Sequence, residues 1–474
     1  MRSSFLGFEI AKSGLQSAQA GLDVTGQNIA KMNAKGYSRQ TVEQSTDYYA
    51  TNNYKYALLN ENKIGHGVTL DRITQIRDQF LDTRYREAFA DYSRYSKALS
   101  IMTSVSNLVD ETLRDGLGAA YEEFIINLQT FSMNTGDIDY SGLVRSSAQK
   151  ITETLSYYYN QLEKLREQEV DDLSISINDI NDLLERISGL NKEIQFEKLF
   201  KNSPNELLDT RNLCLDQLAG YMNITIEDNG DGTINVKVGS QYLIDARSDT
   251  VQKLSYEEIG DTYAVKTESG ELEIANGSLK ASLDAINGKG DFAASGENDA
   301  KGILYFQMLL DAFALNFATK MNELNGADKP LFQGTTALTI EISDAWLKDA
   351  NYITTTNNAE PKDGQNDNIL RMLAELNKDV SIGDIFIGTF DEFILKMILD
   401  AGSEESYMND LTQSSDAILT SIDNQREAAK GVSLNEETIN ILKYQRAFEA
   451  SSRILTALDE MLDTIINRMG AVGR

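Results

Sequence analysis

The sequence predicts a mainly α-helical protein with a β-rich insert. Its first and last segments are expected to pair as a coiled coil, beside a long-helix bundle domain and an outer β domain. Three observations carry this. Long stretches space apolar residues alternately three and four apart, the rhythm of a helix packed along another helix. Only Pro204, Pro330 and Pro361 interrupt 474 residues, which leaves room for long helices. From about 222 to 285 the pattern changes to alternation broken by Gly, Asn and Asp, which reads as β-hairpins.

In chain order, the first element is a helix on which Phe8, Ala11, Leu15, Ala18, Leu22, Thr25, Ile29 and Met32 form one seam. It should be roughly 37 Å long at about 1.5 Å per residue. The seam is thin, because alanine and threonine bury little. Gly14, Gly21 and Gly26 each weaken a free helix by about 1 kcal/mol, so partners must order it. "NAKGYSRQTVEQ" reads as a turn at Gly36 followed by extended chain. A polar stretch with Tyr48, Tyr49, Tyr54 and Tyr56 follows, then a short strand in "IGHGVTLDRI". A long helix should start near Ile76, with Leu81, Tyr85, Ala88, Tyr92, Tyr95, Leu99, Met102, Ser106 and Val109 on its seam. Another helix is expected over about 115–132.

The next helical region, about 142–200, has two seams. Ile151, Leu155, Tyr158, Leu162 and Leu165 form the first; Ile177, Ile180, Leu184, Ile187 and Ile194 form the second. The rhythm slips near Val170, which implies local unwinding or a change of neighbour. In "SPNELLDTRNLCLDQLAGY", Ser203 suits an N-cap and Pro204 the first helical position. After the β-rich stretch, "GILYFQMLLDAFALNFATKMNELN" is helical, and 327–368 reads as loops and short strands. Helices resume from about 369, with a break at "KGVSLNEE". Tyr444, Phe448, Ser451, Leu455, Leu458, Leu462, Ile465 and Met469 then form a second seam, matched to the first one.

Length suggests about three domains. The expected division joins 1–46 with 434–474 as the coiled-coil part. The helical bundle takes 47–221 with 286–326 and 369–433. The outer β part takes 222–285, with 327–368 as a candidate addition. The net charge of −29 argues against nucleic acid and anionic membrane surfaces as partners. Residues 1–46 carry +2 and residues 432–474 carry −1, so the middle carries −30. Near-neutral ends can pack against copies of themselves, while an acidic middle faces water.

Nothing in the chain assembles a catalytic site, so no enzyme activity, cofactor or metal is expected. There is no HExxH, CxxC, Walker or GxSxG motif. His66 is the one histidine and reads as a turn residue between Gly65 and Gly67. Cys214 is the one cysteine; it lies among apolar residues and reads as a small buried hydrophobe. In "EDNGDGTINVKV", Glu227, Asn229, Asp231, Gly232 and Asn235 approach calcium-loop spacing. Val238 stands where a bidentate carboxylate is required, so the segment reads as a hairpin turn. The N-terminal run "FLGF" is broken by Glu9 and Lys12, so no cleaved signal peptide is expected. The most apolar later stretch, "IFIGTFDEFILKMIL", contains Asp391, Glu392 and Lys396, which argues against a membrane span.

"GLQSAQAGLDVTGQNIAKMNAKGYSRQ" resembles the N-terminal signature of the flagellar rod, hook and hook-associated axial proteins. Their usual run has Asn-Ile-Ala-Asn and then Thr-Pro-Gly-Tyr. Asn28, Ile29, Ala30, Gly36, Tyr37, Ser38 and Arg39 match it, whereas Lys31, Ala34 and Lys35 depart from it. "GHGVTLDRITQIRDQFLDTRYR", "PNELLDTRNLCLDQL" and "NQREAAKGVSLNEETINILKYQRAFEASSRILTALDEMLDTIINRM" are similar to stretches of the same family. "GYSRQ" with "PNELLDTR" points to a hook-associated member rather than to hook or rod proteins. The resemblance covers most of the helical parts and only loosely the β insert.

The resemblance implies a structural role. Terminal helices pair in an inner tube, a helical domain surrounds them, and β domains project outward. It implies an extracellular place at the hook–filament junction, reached through flagellar type III export without a cleaved signal. It also implies the partners: copies of the chain in a ring or tube, hook protein, a second junction protein and an export chaperone. Phe8, Leu15, Leu22, Ile29, Tyr444, Phe448, Leu455, Leu458, Leu462 and Ile465 would form the assembly seam. Two further readings stay open. One is another axial protein, hook protein or the second junction protein. The other is an enzyme or a soluble coiled-coil adaptor, against which the missing constellation and the two terminal signatures argue.

Overall fold

The computed structural model describes residues 5–46, 65, 67–109, 116–358, 364–382 and 385–468. The expectations about Tyr48, Tyr49, Tyr54, Tyr56, His66 and Met469 lie outside these residues. Helix α1 (Leu6–Lys31) leads into the hairpin β1 (Gln40–Thr46) and β2 (Val68–Gln75), antiparallel with a bulge between Glu43 and Gln44. Three helices follow: α2 (Gln79–Val109), α3 (Leu117–Met133) and α4 (Ile138–Leu199). Helix α4 spans 62 residues, about 93 Å at about 1.5 Å per residue. Asp137 starts it by accepting from Asp139 N.

Helix α4 serves two hydrophobic cores. Val144, Ala148, Ile151, Leu155 and Leu162 face the first core; Leu173, Ile180, Leu184, Ile187 and Ile194 face the second. Between them the helix runs unbroken through Val170; of the two readings of the slipped rhythm, the unwinding is absent and the change of neighbour is seen. The missing apolar position is taken by Glu169, which is buried and meets Lys97 Nζ at 2.9 Å. Burial raises the Glu169 pKa, and Lys97 offsets part of that. A charged pair thus stands in the helix face where the two cores meet.

Helix α5 (Asn205–Tyr221) follows a tight turn. Ser203 does not cap it. The helix starts after Pro204 without a side-chain cap, and Asn205 Nδ2 donates instead to Ile73 O at 3.0 Å. Seven strands come next: β3 (Thr225–Asp228), β4 (Ile234–Val238), β5 (Gln241–Asp245), β6 (Thr250–Val251), β7 (Ser255–Ile259), β8 (Thr262–Thr267) and β9 (Gly270–Glu271). They form antiparallel sheets ordered β3-β4-β5-β6 and β7-β8-β9. Val236, Val238, Leu243, Ile244 and Val265 share the second core with α4, with α5 and with α6 (Ser278–Asn287). Helix α6 lies partly inside the stretch expected to be β-rich; Leu279, Ser282 and Ile286 line its buried face at helical spacing.

The first core is aromatic. Helix α7 (Ile303–Asn325) stacks Phe313 on Phe317, with ring centroids 5.7 Å apart. Phe390 meets Phe317 edge-on at 5.7 Å, and Trp346 is fully buried against Phe332. The small hairpin β10 (Phe332–Gln333) and β11 (Glu341–Ile342), α8 (Asp344–Lys348) and α9 (Asp367–Leu376) close this core. A further hairpin, β12 (Val380–Ile382) and β13 (Phe386–Gly388), interrupts the region expected to be helical from 369. Helix α10 (Phe390–Lys430) starts on a capping box of Thr389 and Glu392 and packs along α2. Gly431–Ser433 break the chain before α11 (Leu434–Asp463), which continues as a π turn over Thr464–Arg468. Neither core contains a residue of α1, β1, β2 or α11.

Candidate functional site: the first and last helices and their clasp

Helices α1 and α11 lie side by side and antiparallel. Gly7, Gly14 and Gly21, one heptad apart, face Leu458, Ser451 and Tyr444, one heptad apart in the reverse direction. A Cβ on Gly21 would stand 2.5 Å from the Tyr444 ring, and one on Gly14 2.9 Å from Ser451 Oγ. These glycines let the two backbones approach closely. Gly26, expected to weaken the helix like Gly14 and Gly21, has open space where its Cβ would be.

The buried face of α1 is Ala11, Ser17, Ala18, Gly21, Val24, Thr25 and Asn28. Phe8, Leu15, Leu22 and Ile29 stand beside this face and are half-buried. On α11, Tyr444, Phe448, Leu455, Leu458 and Leu462 are half-buried, and Ile465, in the π turn, is exposed. The only fully buried residue of α11 is Glu437. Ile439, Leu442, Ile454 and Met461 point to solvent from the same helix.

The residues of the N-terminal motif form a clasp at the base of this pair. The Asn28 amide is buried; its Nδ2 donates to Gln40 O at 2.9 Å. Its Oδ1 accepts from Gln40 N at 3.0 Å and from Tyr37 Oη at 2.7 Å. Gly36 takes φ +80°, and a Cβ there would stand 3.3 Å from Leu213 Cβ. Ala34 N donates to Lys31 O and Tyr37 N to Ala34 O, so backbone bonds build the turn without the Thr-Pro of the motif. Ser38 is fully buried; its N donates to Asp209 Oδ2 at 3.2 Å, and its Oγ accepts from Arg77 Nη1 at 3.2 Å. Arg39 Nε donates to Glu437 Oε1 at 2.7 Å and Nη1 to Glu436 Oε2 at 2.6 Å.

The other half of the clasp is the first turn of α5. Asn205, Glu206 and Asp209 share one helix face. Asn205 holds Ile73 O, Glu206 receives Gln27 and Lys31, and Asp209 receives Ser38. "GYSRQ" and "PNELLDTR", far apart in sequence, therefore meet in space. Behind them lies an ion network that charge patterning could not reveal, because charged residues read as solvent-facing. Arg86 Nε meets Asp216 at 2.8 Å, and Arg426 meets Asp82 at 2.8 Å and also Asp216.

Burial first, then the charges of Asp209, Glu206 and Glu437, push the Tyr37 hydroxyl up to about 12. Burial raises the Asp209 pKa, offset in part by Ser38, Arg77 and Lys430. Burial alone would raise Asp82, but Arg77, Arg426 and Arg86 outweigh it and hold this carboxyl below its ordinary value. The site can bind and orient helices.

Elsewhere, the turn at Asp231 closes on itself: Asp231 Oδ1 accepts from Thr233 N and Oγ1, and Oδ2 from Gln195. Cys214 is buried, which raises its thiol pKa. Among the described residues no cluster of three or more His, Cys, Asp or Glu is placed to hold a metal ion. Among them, too, no helix is long and apolar enough to cross a membrane.

Comparison with known proteins bears on the same regions. Residues 102–340 match the family model described as the flagellar hook-associated protein FlgK helical domain. Residues 427–469 match the model of the flagellar basal body rod FlgEFG protein C-terminal region. The chain is 31% identical to flagellar hook-associated protein 1 of Bacillus subtilis, over all of both chains. It is 21% identical to the Escherichia coli protein of the same name, over 96% of this chain and 98% of that one. The structure of the flagellar hook junction protein FlgK from Burkholderia pseudomallei superposes with a TM-score of 0.61 at 12% identity. That match covers 74% of this chain and all of the other, and it shows a shared fold.

Proposed function

The chain belongs to the family of flagellar hook-associated protein 1, and on that premise we propose that it joins hook to filament by assembling with copies of itself through α1 and α11. It is a structural component of the bacterial flagellum. One observation supports the assembly reading above others. Helix α11 packs on small residues of α1 and buries none of its own large apolar side chains completely. Ile439, Leu442, Ile454 and Met461 remain outward, and Phe8, Leu15, Leu22, Phe448 and Leu455 are half-covered. An apolar face of this length is covered when copies pack laterally.

In this reading the seam is Phe8, Leu15, Leu22, Ile29, Tyr444, Phe448, Leu455, Leu458, Leu462 and Ile465. The clasp residues Asn28, Gly36, Tyr37, Ser38 and Arg39 hold the pair on the body. The neighbours are hook protein on one side and the second junction protein on the other. An export chaperone accompanies the chain to the type III apparatus, which exports it without cleaving a signal. The three-part division, with 222–285 outermost, belongs to the same proposal.

A deletion strain tests it. Hooks should be present and filament subunits lost to the medium, seen by electron microscopy and by blotting the supernatant. Leu458→Asp expressed in that strain should leave the same defect, because a carboxylate would be buried in every copy. Filaments restored by Leu458→Asp would overturn the seam.

A further inference from the structure

Three stretches of chain lie where the helix pair meets the body: residues 37–40, 75–77 and 430–434. All three passages meet at Arg39. Its N donates to Lys430 O at 2.9 Å, and its O accepts from Ile76 N at 2.8 Å. Its guanidinium reaches Glu436 and Glu437 in the first turn of α11, at 2.6 and 2.7 Å. Glu437 is 1% exposed. Neither hydrophobic core extends across this junction. Among the described residues, the side chain that hydrogen-bonds α11 to the strand passage is Arg39.

We propose that Arg39 is the positioning residue of this junction: its bond to Glu437 and Glu436 fixes the angle at which the α1–α11 pair leaves the body. This rests on the reading that the pair is the assembling part, since that angle decides where the pair meets its neighbours. The planar guanidinium suits the task. Two donors at fixed separation hold two carboxylates of one helix turn and so define a direction, which a single ammonium cannot do. The Gly431–Ser433 break leaves α11 free to pivot once that bond is lost.

The exposed bridge from Lys31 to Glu206 joins the same parts without setting direction, because a flexible, solvated pair contributes little.

The test uses the full chain, purified and unassembled, with Cys214→Ala and two introduced cysteines carrying spin labels. Glu87→Cys with Arg453→Cys reads the pair against the body. Gln19→Cys with Arg453→Cys reads α1 against α11. All three labelled positions are exposed. Arg39→Gln should replace the single narrow 87–453 distance by a broad distribution and leave the 19–453 distance narrow. Arg39→Lys should lie between, and Lys31→Ala should change neither. The double variant Glu436→Gln, Glu437→Gln leaves both backbone bonds of Arg39 in place and should behave as Arg39→Gln does. Should Arg39→Gln fail to fold, the double variant decides. A narrow 87–453 distance in the variants would overturn the proposal. So would broadening of both distances together, which would make Arg39 part of the pair's own folding. These distances are read without any flagellum, so they fail or succeed independently of the junction role.

Discussion

The aromatic core and the α1–α11 pair are both helical, and they are held together by opposite means. In the core, Phe313, Phe317, Phe390 and Trp346 are essentially sealed from water and interlock edge to face. In the pair, glycine, alanine and serine of α1 meet Tyr444, Ser451 and Leu458 of α11, and the large side chains are only half-covered or exposed. The core gains from burying wide surface within one chain. The pair gains from close backbone approach and a polar clasp, and leaves its apolar surface for other copies. A helix whose seam is complete inside its own subunit has nothing to offer a neighbour.

The largest effect should come from the core. Phe317→Ala removes a ring that meets Phe313, Phe332 and Phe390, at a cost of about 3–5 kcal/mol. Thermal unfolding should show a large fall in midpoint, with the body lost cooperatively. A shift confined to amide exchange in α1 and α11 would break the comparison.

The pair responds to smaller changes, and two glycines give opposite signs. Gly21→Ala drives a methyl into the Tyr444 ring, and such overpacking costs about 1–3 kcal/mol. Gly26→Ala meets nothing and should gain about 1 kcal/mol of helix propensity. Hydrogen exchange of α1 amides should quicken in the first variant and slow in the second, with the amides of α7 as an unmoved reference. Equal effects would mean that close approach at Gly21 does not hold the pair. In the unchanged chain, α1 should exchange faster than α7, because no core reaches it. Protection of Leu15–Ile29 equal to that of α7 would show a pair complete without neighbours.

Much of this contrast was legible in the sequence. The long helices and the start of the β-rich region follow from apolar spacing within a few residues; its end, expected at about 285, lies at 271, because a helix takes Ser278–Asn287. Of the seam expected on α1, Ala11, Ala18 and Thr25 are buried, while Phe8, Leu15, Leu22 and Ile29 stand half-buried beside them. Hydrophobicity weights large residues, while the observed contact also uses Gly7, Gly14 and Gly21, of which Gly14 and Gly21 read only as weakening the helix. The clasp residues Asn28, Gly36, Tyr37, Ser38 and Arg39 were found as a motif, but their partners were not. Asp209, Glu437 and Arg77 are distant in sequence, and nothing local marks a charge as buried. The slip at Val170 was visible and a change of neighbour was one of its two readings; the role of Glu169 was not visible, because only the fold places Lys97 beside it. The β12–β13 hairpin escaped because strands of three residues leave no measurable alternation.

The smallest effect should come from Asp209, and its interest lies in its sign. Two of the buried carboxylates at and behind the clasp, Asp82 and Asp209, shift in opposite directions. Asp82 is held below its ordinary pKa because Arg77, Arg426 and Arg86 outweigh burial. It therefore stabilises the fold above the unfolded value of about 4, and that contribution is lost as pH falls through the lower folded value. Asp209 is raised, because burial outweighs Ser38 and Arg77, whose Nη1 lies 3.6 Å away. A raised carboxyl binds its proton more readily folded than unfolded. Its ionised form costs stability at neutral pH, and that cost disappears as pH falls through the folded value. Asp209→Asn keeps an oxygen for Ser38 N and removes the charge. At pH 7 it should be neutral or slightly stabilising, by less than about 1 kcal/mol, since Arg77 retains Asp82. As pH falls toward the carboxylate range, the unchanged chain should gain on the variant. Asp82→Asn should be destabilising at pH 7, with the deficit narrowing only in stronger acid. Melting midpoints of the three proteins across this range decide the matter. An Asp209→Asn deficit that is large at pH 7 and shrinks on acidification would show that Asp209 acts as Asp82 does, a stabilising ion at the clasp.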